Sequence, residues 1–286
     1  MRIEFLKMQG LGNDFLVFDA PASAAAGRLD SNLLRALGDR HTGVGFDQAL
    51  MLERPRDAAS RVYYRIFNSD GSEVEQCGNG ARCIAALLYA RRPELGREFT
   101  MDSPGGSVQA RVREDGQVAV NMGVPNFAPA ALPFTASHEM LRYELLVDGE
   151  SFDIGALSMG NPHAVLKVPE VRSAPVPHLG PRIEHHERFP KRTNVGFMQV
   201  LDRAHIALRV FERGAGETKA CGTGACAAVA VGRRWGLLDT EVRVDLPGGT
   251  ASVSWSGFDQ PVWLTGPATT VFTGSIDLTN FLGVKQ

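Results

Sequence analysis

The chain has 286 residues, 44% hydrophobic and 22% charged, with a formal net charge of −2; this is ordinary globular composition, and the length suits two domains of about 100–200 residues each. No Lys/Arg run offers a footprint for nucleic acid or an anionic membrane, so neither is an expected partner. No apolar run approaches the roughly 18 residues of a membrane span, and the first residues lack a secretory core, so a cytoplasmic location with reduced cysteines is expected.

In chain order, Met1–Phe5 opens a strand-like pattern that leads into GLGNDFLVFD at residues 10–19. Ser31–Asp39 reads as a helix with Ser31 at a cap-like position. Arg61–Phe67 (RVYYRIF) is a short β-branched and aromatic run, hence a strand. Cys77-Gly78-Asn79-Gly80-Ala81 then leads into Cys83–Ala90 (CIAALLYA), which carries no charge. A helix apolar on every face must be buried, and Pro93 ends it. Strands follow at Val108–Val112 and Val118–Met122.

The second half repeats this plan. Glu184-His185-His186-Glu187 lies among Pro177, Pro181 and Pro190 and reads as a solvated loop, not a metal site. His205–Phe211 is a strand, and Cys221-Gly222-Thr223-Gly224-Ala225 leads into a second uncharged helix, Ala225–Gly232, closed by Trp235-Gly236. Glu241–Leu246 and Pro261–Leu264 are the last strands read.

Five blocks recur in one order. Gly12-Asn13 answers Gly160-Asn161 at an offset of 148, and Thr42–Gln48 answers Thr193–Gln199 at 151. Arg65–Asn68 with Glu73 answers Arg209–Glu212 with Glu217, and Cys77 answers Cys221, all at 144; Asp102–Gly106 answers Asp245–Gly249 at 143. Such order implies two homologous domains in tandem. The expected fold is α+β: two pseudo-symmetric domains, each a strand-rich roll or barrel wrapped around one central buried helix, with the active site in the cleft between them. The halves are expected at 1–125 and 126–267, the tail 268–286 packing back on the first. Parallel α/β winding would need a helix after nearly every strand, and the helices are too few.

A cysteine at a helix start meets unpaired backbone N–H groups and the positive end of a dipole, which favour its thiolate. The amides of Gly78, Asn79, Gly222 and Thr223 can hold a carboxylate at the same place. A thiolate/thiol pair supplies a base on one face of an α-carbon and an acid on the other, and the roles swap in reverse. The C-x5-C and C-x4-C spacings do not suit zinc, so no metal is expected; Cys83 and Cys226 read as small hydrophobes inside helices. Glu73 and Glu217 precede each cysteine by four residues and read as braces of the turn, since a carboxylate beside a thiol would raise its pKa.

On GLGNDFLVFD (10–19), FNSDGSEVEQCGNGARC (67–83), MGNPHAV (159–165), TNVGF (193–197) and ERGAGETKACGTGACA (212–227), the chain resembles the diaminopimelate epimerase family. The resemblance implies interconversion of LL- and meso-diaminopimelate for lysine and peptidoglycan synthesis, no cofactor, and a homodimer. By resemblance, Cys77 and Cys221 are the proton-transfer residues, and His163 and Glu212 assist them. Gly78-Asn79 and Gly222-Thr223 grip the reacting carboxylate. Asn13, Gln48, Asn68, Asn161, Asn194, Glu212 and Arg213 contact substrate, with Arg213 able to fork onto the distal carboxylate. The rival readings are a cofactor-independent proline or hydroxyproline racemase, and a non-catalytic small-ligand binding protein of the same fold. The Asn161, Asn194, Glu212 and Arg213 set argues against the first, and two intact cysteines against the second.

Overall fold

Residues 2–19 and 29–281 are described by the computed structural model, and the β-branched runs form strands that surround two helices. The chain divides into two compact units: residues up to Val120 together with those from Gly266 onward, and Asn121–Thr265. The last residues of the expected tail, 282–286, lie outside the described residues.

The first unit runs β1 (Arg2–Gly10), β2 (Asn13–Asp19), α1 (Ser31–Gly38), β3 (Gln48–Glu53), β4 (Ser60–Asn68) and β5 (Glu73–Val74). After α2 (Gly78–Arg91) come β6 (Glu98–Ser103), β7 (Gly106–Val112) and β8 (Val118–Asn121) at the unit boundary. The second unit opens with β9 (Tyr143–Val147), then runs β10 (Glu150–Ser158), β11 (Pro162–Lys167), α3 (Val176–Glu184), β12 (Asn194–Asp202), β13 (His205–Glu212) and β14 (Gly216–Thr218). After α4 (Gly222–Arg234) it closes with β15 (Glu241–Leu246), β16 (Gly249–Trp255) and β17 (Val262–Gly266). A last strand, β18 (Thr269–Asp277), returns to the first unit and pairs antiparallel with β1, from Arg2 opposite Asp277 to Gln9 opposite Thr269.

Pairing repeats between the units. β1–β2 is antiparallel, β2–β3 parallel, β3–β4 antiparallel and β4–β6 parallel. β10–β11, β11–β12, β12–β13 and β13–β15 follow the same alternation. Register corrects one block of the repeat. In the parallel pairs Phe15 faces Gln48 and His163 faces Asn194, so Gln48 answers Asn194 at an offset of 146, not Gln199. The shared letters TGVGF and TNVGF mislead because they fall on different structure. Thr42–Phe46 is loop before β3, with Gly45 at φ +74°, whereas Asn194 already begins β12.

Helix α4 is buried from Gly224 to Gly232, as a helix apolar all round requires; α2 is buried from Asn79 to Ala85 and at Leu87, with its last turn emerging at Ala90. α4 lies directly on β10: a Cβ at Gly155 would meet Val231 Cγ1 at 2.5 Å, closer than a packed interior tolerates.

Two local expectations change. Helix α1 is capped by Asp30, whose carboxylate accepts from the Leu33 N–H at 2.8 Å; Ser31 is the first helical residue, and Gly38 the last. Of Glu184-His185-His186-Glu187 only Glu184 departs from the expected loop: it is the last residue of helix α3, which tolerates Pro177 in its first turn where a missing N–H costs nothing, while His185 to Glu187 form a turn with His185 and Glu187 exposed. Glu184 itself is only 3% exposed. Among the described residues no group of His, Cys, Asp or Glu is placed to hold a metal, and no helix is long and apolar enough to cross a membrane.

Candidate active site

In the first unit, β5 hangs on β4 through Phe67 opposite Glu73 and Ile66 opposite Val74. Arg65 grips Glu73 with two bonds, 2.7 Å and 2.8 Å, and this fork braces the turn into α2. Cys77 is then the N-cap: its sulfur accepts from the Gly80 N–H at 3.4 Å. Gly78 and Asn79 are the first helical residues, with amides among those that lack a partner in the helix.

Asn13, on the first position of β2, ties this turn together. Its Oδ1 accepts from the Cys77 thiol at 3.8 Å and from Asn79 Nδ2 at 3.3 Å, while its Nδ2 donates to Asp47 at 2.9 Å. Fully buried Arg82 donates to Asn79 Oδ1 at 2.7 Å, which fixes the sense of that amide. Asp14 pairs with Lys7 at 2.6 Å and with Arg40 at 2.7 Å, and Arg40 also reaches Asp47. Partial burial pushes the Asp14 carboxyl up, but the bonds from Arg40 and Lys7 outweigh it and hold the group well below the usual range. Gln48 and Asn68 face each other across β3–β4, with Gln48 Nε2 donating to Asn68 Oδ1 at 3.0 Å. Gln48 Oε1 is buried with no hydrogen-bond partner in the protein.

The second unit builds the same turn with different groups around it. Arg209 grips Glu217 at 2.6 Å and 2.9 Å, repeating the Arg65–Glu73 fork. Cys221 caps α4, accepting from the Gly224 N–H at 3.4 Å, and lies 3.6 Å from the Thr223 hydroxyl. Asn161 Nδ2 donates to Thr223 Oγ1 at 3.4 Å, and Asn161 Oδ1 lies 2.9 Å from His163 Nε2. Asn194 donates to the Pro162 carbonyl and accepts the Arg213 N–H, both at 2.9 Å. Thr218 donates its hydroxyl to Glu212. Arg213 is exposed, with Nη1 3.3 Å from the Lys191 carbonyl.

Electrostatics corrects the expectation of a helix-start thiolate at Cys221. Burial drives this thiol well above its ordinary pKa, the neighbouring Glu212 carboxylate drives it further, and the Thr223 and Gly224 bonds only partly oppose them. Desolvation at a nearly inaccessible cap thus exceeds the pull of the helix N-terminus, and the resting group is a thiol. Burial likewise pulls His163 down to about 3, with Arg213 adding to the shift, so its imidazole is neutral at physiological pH. Cys83 is pushed up to about 12 by burial, which makes it inert.

In the first unit Asn13, Cys77 and Asn79 meet at the cap of α2, and Gln48 and Asn68 form a bonded pair across β3–β4; in the second, Asn161, His163, Asn194, Glu212, Arg213, Cys221 and Thr223 are linked around the cap of α4. Sequence reasoning missed Asp14, Arg40, Asp47 and Arg82. Asp14 and Asp47 adjoin Asn13 and Gln48, a proximity that could have marked them, but Arg40 and Arg82 carry no local signal.

A profile of the family described as diaminopimelate epimerase matches residues 5–128 and 155–271. The chain is 53% identical over 278 residues to the diaminopimelate epimerase of Stutzerimonas stutzeri (strain A1501), covering 97% of this chain and 100% of that one. It is 52% identical, with the same coverage, to that of Azotobacter vinelandii. Among solved structures, a hydroxyproline epimerase from Agrobacterium vitis with bound trans-4-hydroxy-L-proline superposes with a TM-score of 0.67 at 15% identity, covering 96% of this chain and 92% of that one. A methylitaconate-δ-isomerase gives 0.65 at 13% identity, covering 100% and 98%. At such identities the likeness is one of fold alone: a strand-rich, two-domain α+β architecture with few helices.

Proposed function

The chain belongs to the diaminopimelate epimerase family, and from that premise we propose that it interconverts LL- and meso-2,6-diaminopimelate by a two-thiol mechanism. The observation that carries the reading is the doubled cap: Cys77 and Cys221 occupy the same position on equivalent buried helices, each with helix-start amides beside the sulfur. One cysteine, as thiolate, removes the α-proton from one face of the carbon, and its S–H bond forms as the C–H bond breaks. The electron pair passes to the carboxylate as an enolate-like intermediate, which the Gly78, Asn79, Gly222 and Thr223 amides stabilise. The other cysteine, as thiol, then protonates the opposite face and is left as thiolate. The two have exchanged states, and the reverse reaction uses the same path.

Cys221 rests as a thiol and so stands ready as the acid. Glu212, close enough to raise its pKa, takes the thiol proton in this scheme when Cys221 must act as base. Thr218 holds Glu212, and Asn161 holds neutral His163. Asn13, Gln48, Asn68, Asn161 and Asn194 offer amide donors and acceptors to the substrate, and exposed Arg213 offers its fork to the distal carboxylate. A substrate lacking that second head leaves these groups unpaired, which gives selectivity. The test compares LL-diaminopimelate with L-proline and 4-hydroxy-L-proline. Inversion of diaminopimelate alone is expected; inversion of a proline with diaminopimelate untouched overturns the assignment.

We further propose a homodimer in the cytoplasm, where the four free cysteines stay reduced. Strand β18 supports a dimer: it pairs with β1 and exposes Val271 (56%) and Phe272 (47%), a hydrophobic edge of the kind that seeks a partner. Phe272→Asp is expected to shift sedimentation to the monomer; an unchanged sedimentation coefficient removes this strand from the interface.

A further inference from the structure

Glu184 is a carboxylate buried to 3% exposure at the end of α3, where nothing in the proposed chemistry calls for it. Burying a carboxylate is costly unless it is hydrogen-bonded to something that needs it. Its Oε1 accepts the Gly214 N–H at 2.8 Å, and Arg192 Nη1 lies 4.0 Å from the same oxygen. His185 Nδ1 lies 3.5 Å from Oε2 and also 3.0 Å from the Pro181 carbonyl.

The bonded amide belongs to the turn that carries Arg213. Ala215 N–H closes that turn on the Glu212 carbonyl at 3.1 Å, and Gly214 adopts φ +77°, which only glycine takes without strain. Arg213 sits in the turn with its own N–H on Asn194 Oδ1, so successive amides are held by a side-chain amide and by a carboxylate. The guanidinium meets the Lys191 carbonyl, one residue before Arg192, which approaches the same carboxylate. Glu184 thus touches both short segments that meet Arg213, its own turn through Gly214 and the Lys191–Arg192 stretch through Arg192.

The first unit shows what the turn looks like without this device. There Gly71 N–H closes on the Asn68 carbonyl at 2.9 Å, and Ser69 stands where Arg213 stands. Helix α1 ends at Gly38, answering Glu184 at the offset that relates Gln48 to Asn194; a Cβ there would lie 3.1 Å from Ser69. There Gly38 packs on Ser69, and α1 reaches the turn through Arg35, which donates to the Asp70 carbonyl at 3.1 Å. In the second unit a buried carboxylate grips a turn that presents a guanidinium.

We propose that Glu184 is a positioning residue for Arg213 and thereby sets selectivity for a substrate with a second carboxylate. The proposal rests on the reading of Arg213 as the distal-carboxylate contact. The experiment measures steady-state kinetics on LL-diaminopimelate with the full chain. Glu184→Ala is expected to raise KM about tenfold with kcat changed less than about threefold, since chemistry is untouched and only orientation is lost. Glu184→Gln keeps the length and the acceptor for Gly214 and is expected to restore most of the KM. Glu184→Asp keeps the charge but falls one methylene short and is expected to behave like Ala, so the Gln and Asp pair decides even where Ala fails to fold. In an Arg213→Ala background, Glu184→Asp is expected to add less than about twofold, as non-additive partners do. Equal KM for the Gln and Asp variants, or full additivity with Arg213→Ala, overturns the positioning role. Unchanged kcat/KM in Arg213→Ala alone overturns the underlying reading of Arg213 and the proposal with it.

Discussion

Cys77→Ala and Cys221→Ala are each expected to lower kcat for LL-diaminopimelate by at least about a thousandfold, the upper range for loss of a positioned acid or base. The losses should be equal in both directions of the reaction, because each cysteine serves as base one way and as acid the other. They should also be non-additive, the double variant being no worse than either single one, since half of a two-base pair is of no use alone. The fold should survive. Each sulfur accepts one helix-start amide at 3.4 Å, so the substitution costs about 1 kcal/mol as the loss of a cap. Circular dichroism and a denaturation curve separate that small loss from the catalytic one. Either single variant keeping more than a tenth of wild-type kcat would contradict the mechanism.

Arg213→Ala is the second large effect, an expected fall in kcat/KM of about a hundred- to ten-thousandfold, as for a site deprived of the group that reads a polar substrate end. The side chain is exposed and its backbone is pinned by Asn194, so its removal leaves no cavity and little change in stability. Arg213→Lys should restore only a small part, because an ammonium cannot make the paired bonds of the guanidinium. Loss concentrated in KM would show that the arginine binds ground and transition states alike; loss in kcat as well would show that it aligns the reacting carbon. An unchanged kcat/KM would remove Arg213 from the substrate.

Much of this arrangement is legible in the sequence, and the reason is local. The uncharged runs after Cys77 and Cys221 permit only buried helices, and the strands Arg61–Phe67, His205–Phe211 and Glu241–Leu246 announce themselves by β-branched and aromatic composition. The braces at Glu73 and Glu217 follow from the turn geometry, and Arg65 and Arg209 meet them eight residues away. What the sequence hides depends on distance or on burial. Thr42–Phe46 and Thr193–Phe197 share letters, but only strand register shows that Gln48 answers Asn194. Prolines around Glu184 suggest loop, yet two of them lie within α3, and the carboxylate turns inward to an amide thirty residues on. A helix start favours a thiolate in general; at Cys221 the burial of the cap and the Glu212 carboxylate reverse that preference, and neither is visible before the chain is folded.

Asymmetry around a symmetric frame is the consequence for function. Phe15 stands where His163 stands, and Asn68 where Glu212 stands, so the groups proposed to assist the thiols come from the second unit. The proposed reaction needs equivalence at the carbon, a thiol for each face. Holding one amino-acid end of diaminopimelate while the other reacts needs the opposite, and in the proposed mechanism the unlike residues beside the repeated caps supply it.

The fate of the α-hydrogen tests the two-thiol account most directly. LL-diaminopimelate is incubated with the enzyme in deuterium oxide and stopped after a small fraction of conversion, and both isomers are analysed by mass. The account predicts one solvent deuteron at the inverted carbon of the meso product and none in the recovered LL isomer, because the proton removed by one cysteine never returns from the other. Meso product that keeps the original α-hydrogen, or recovered LL isomer labelled as fast as product forms, would contradict it.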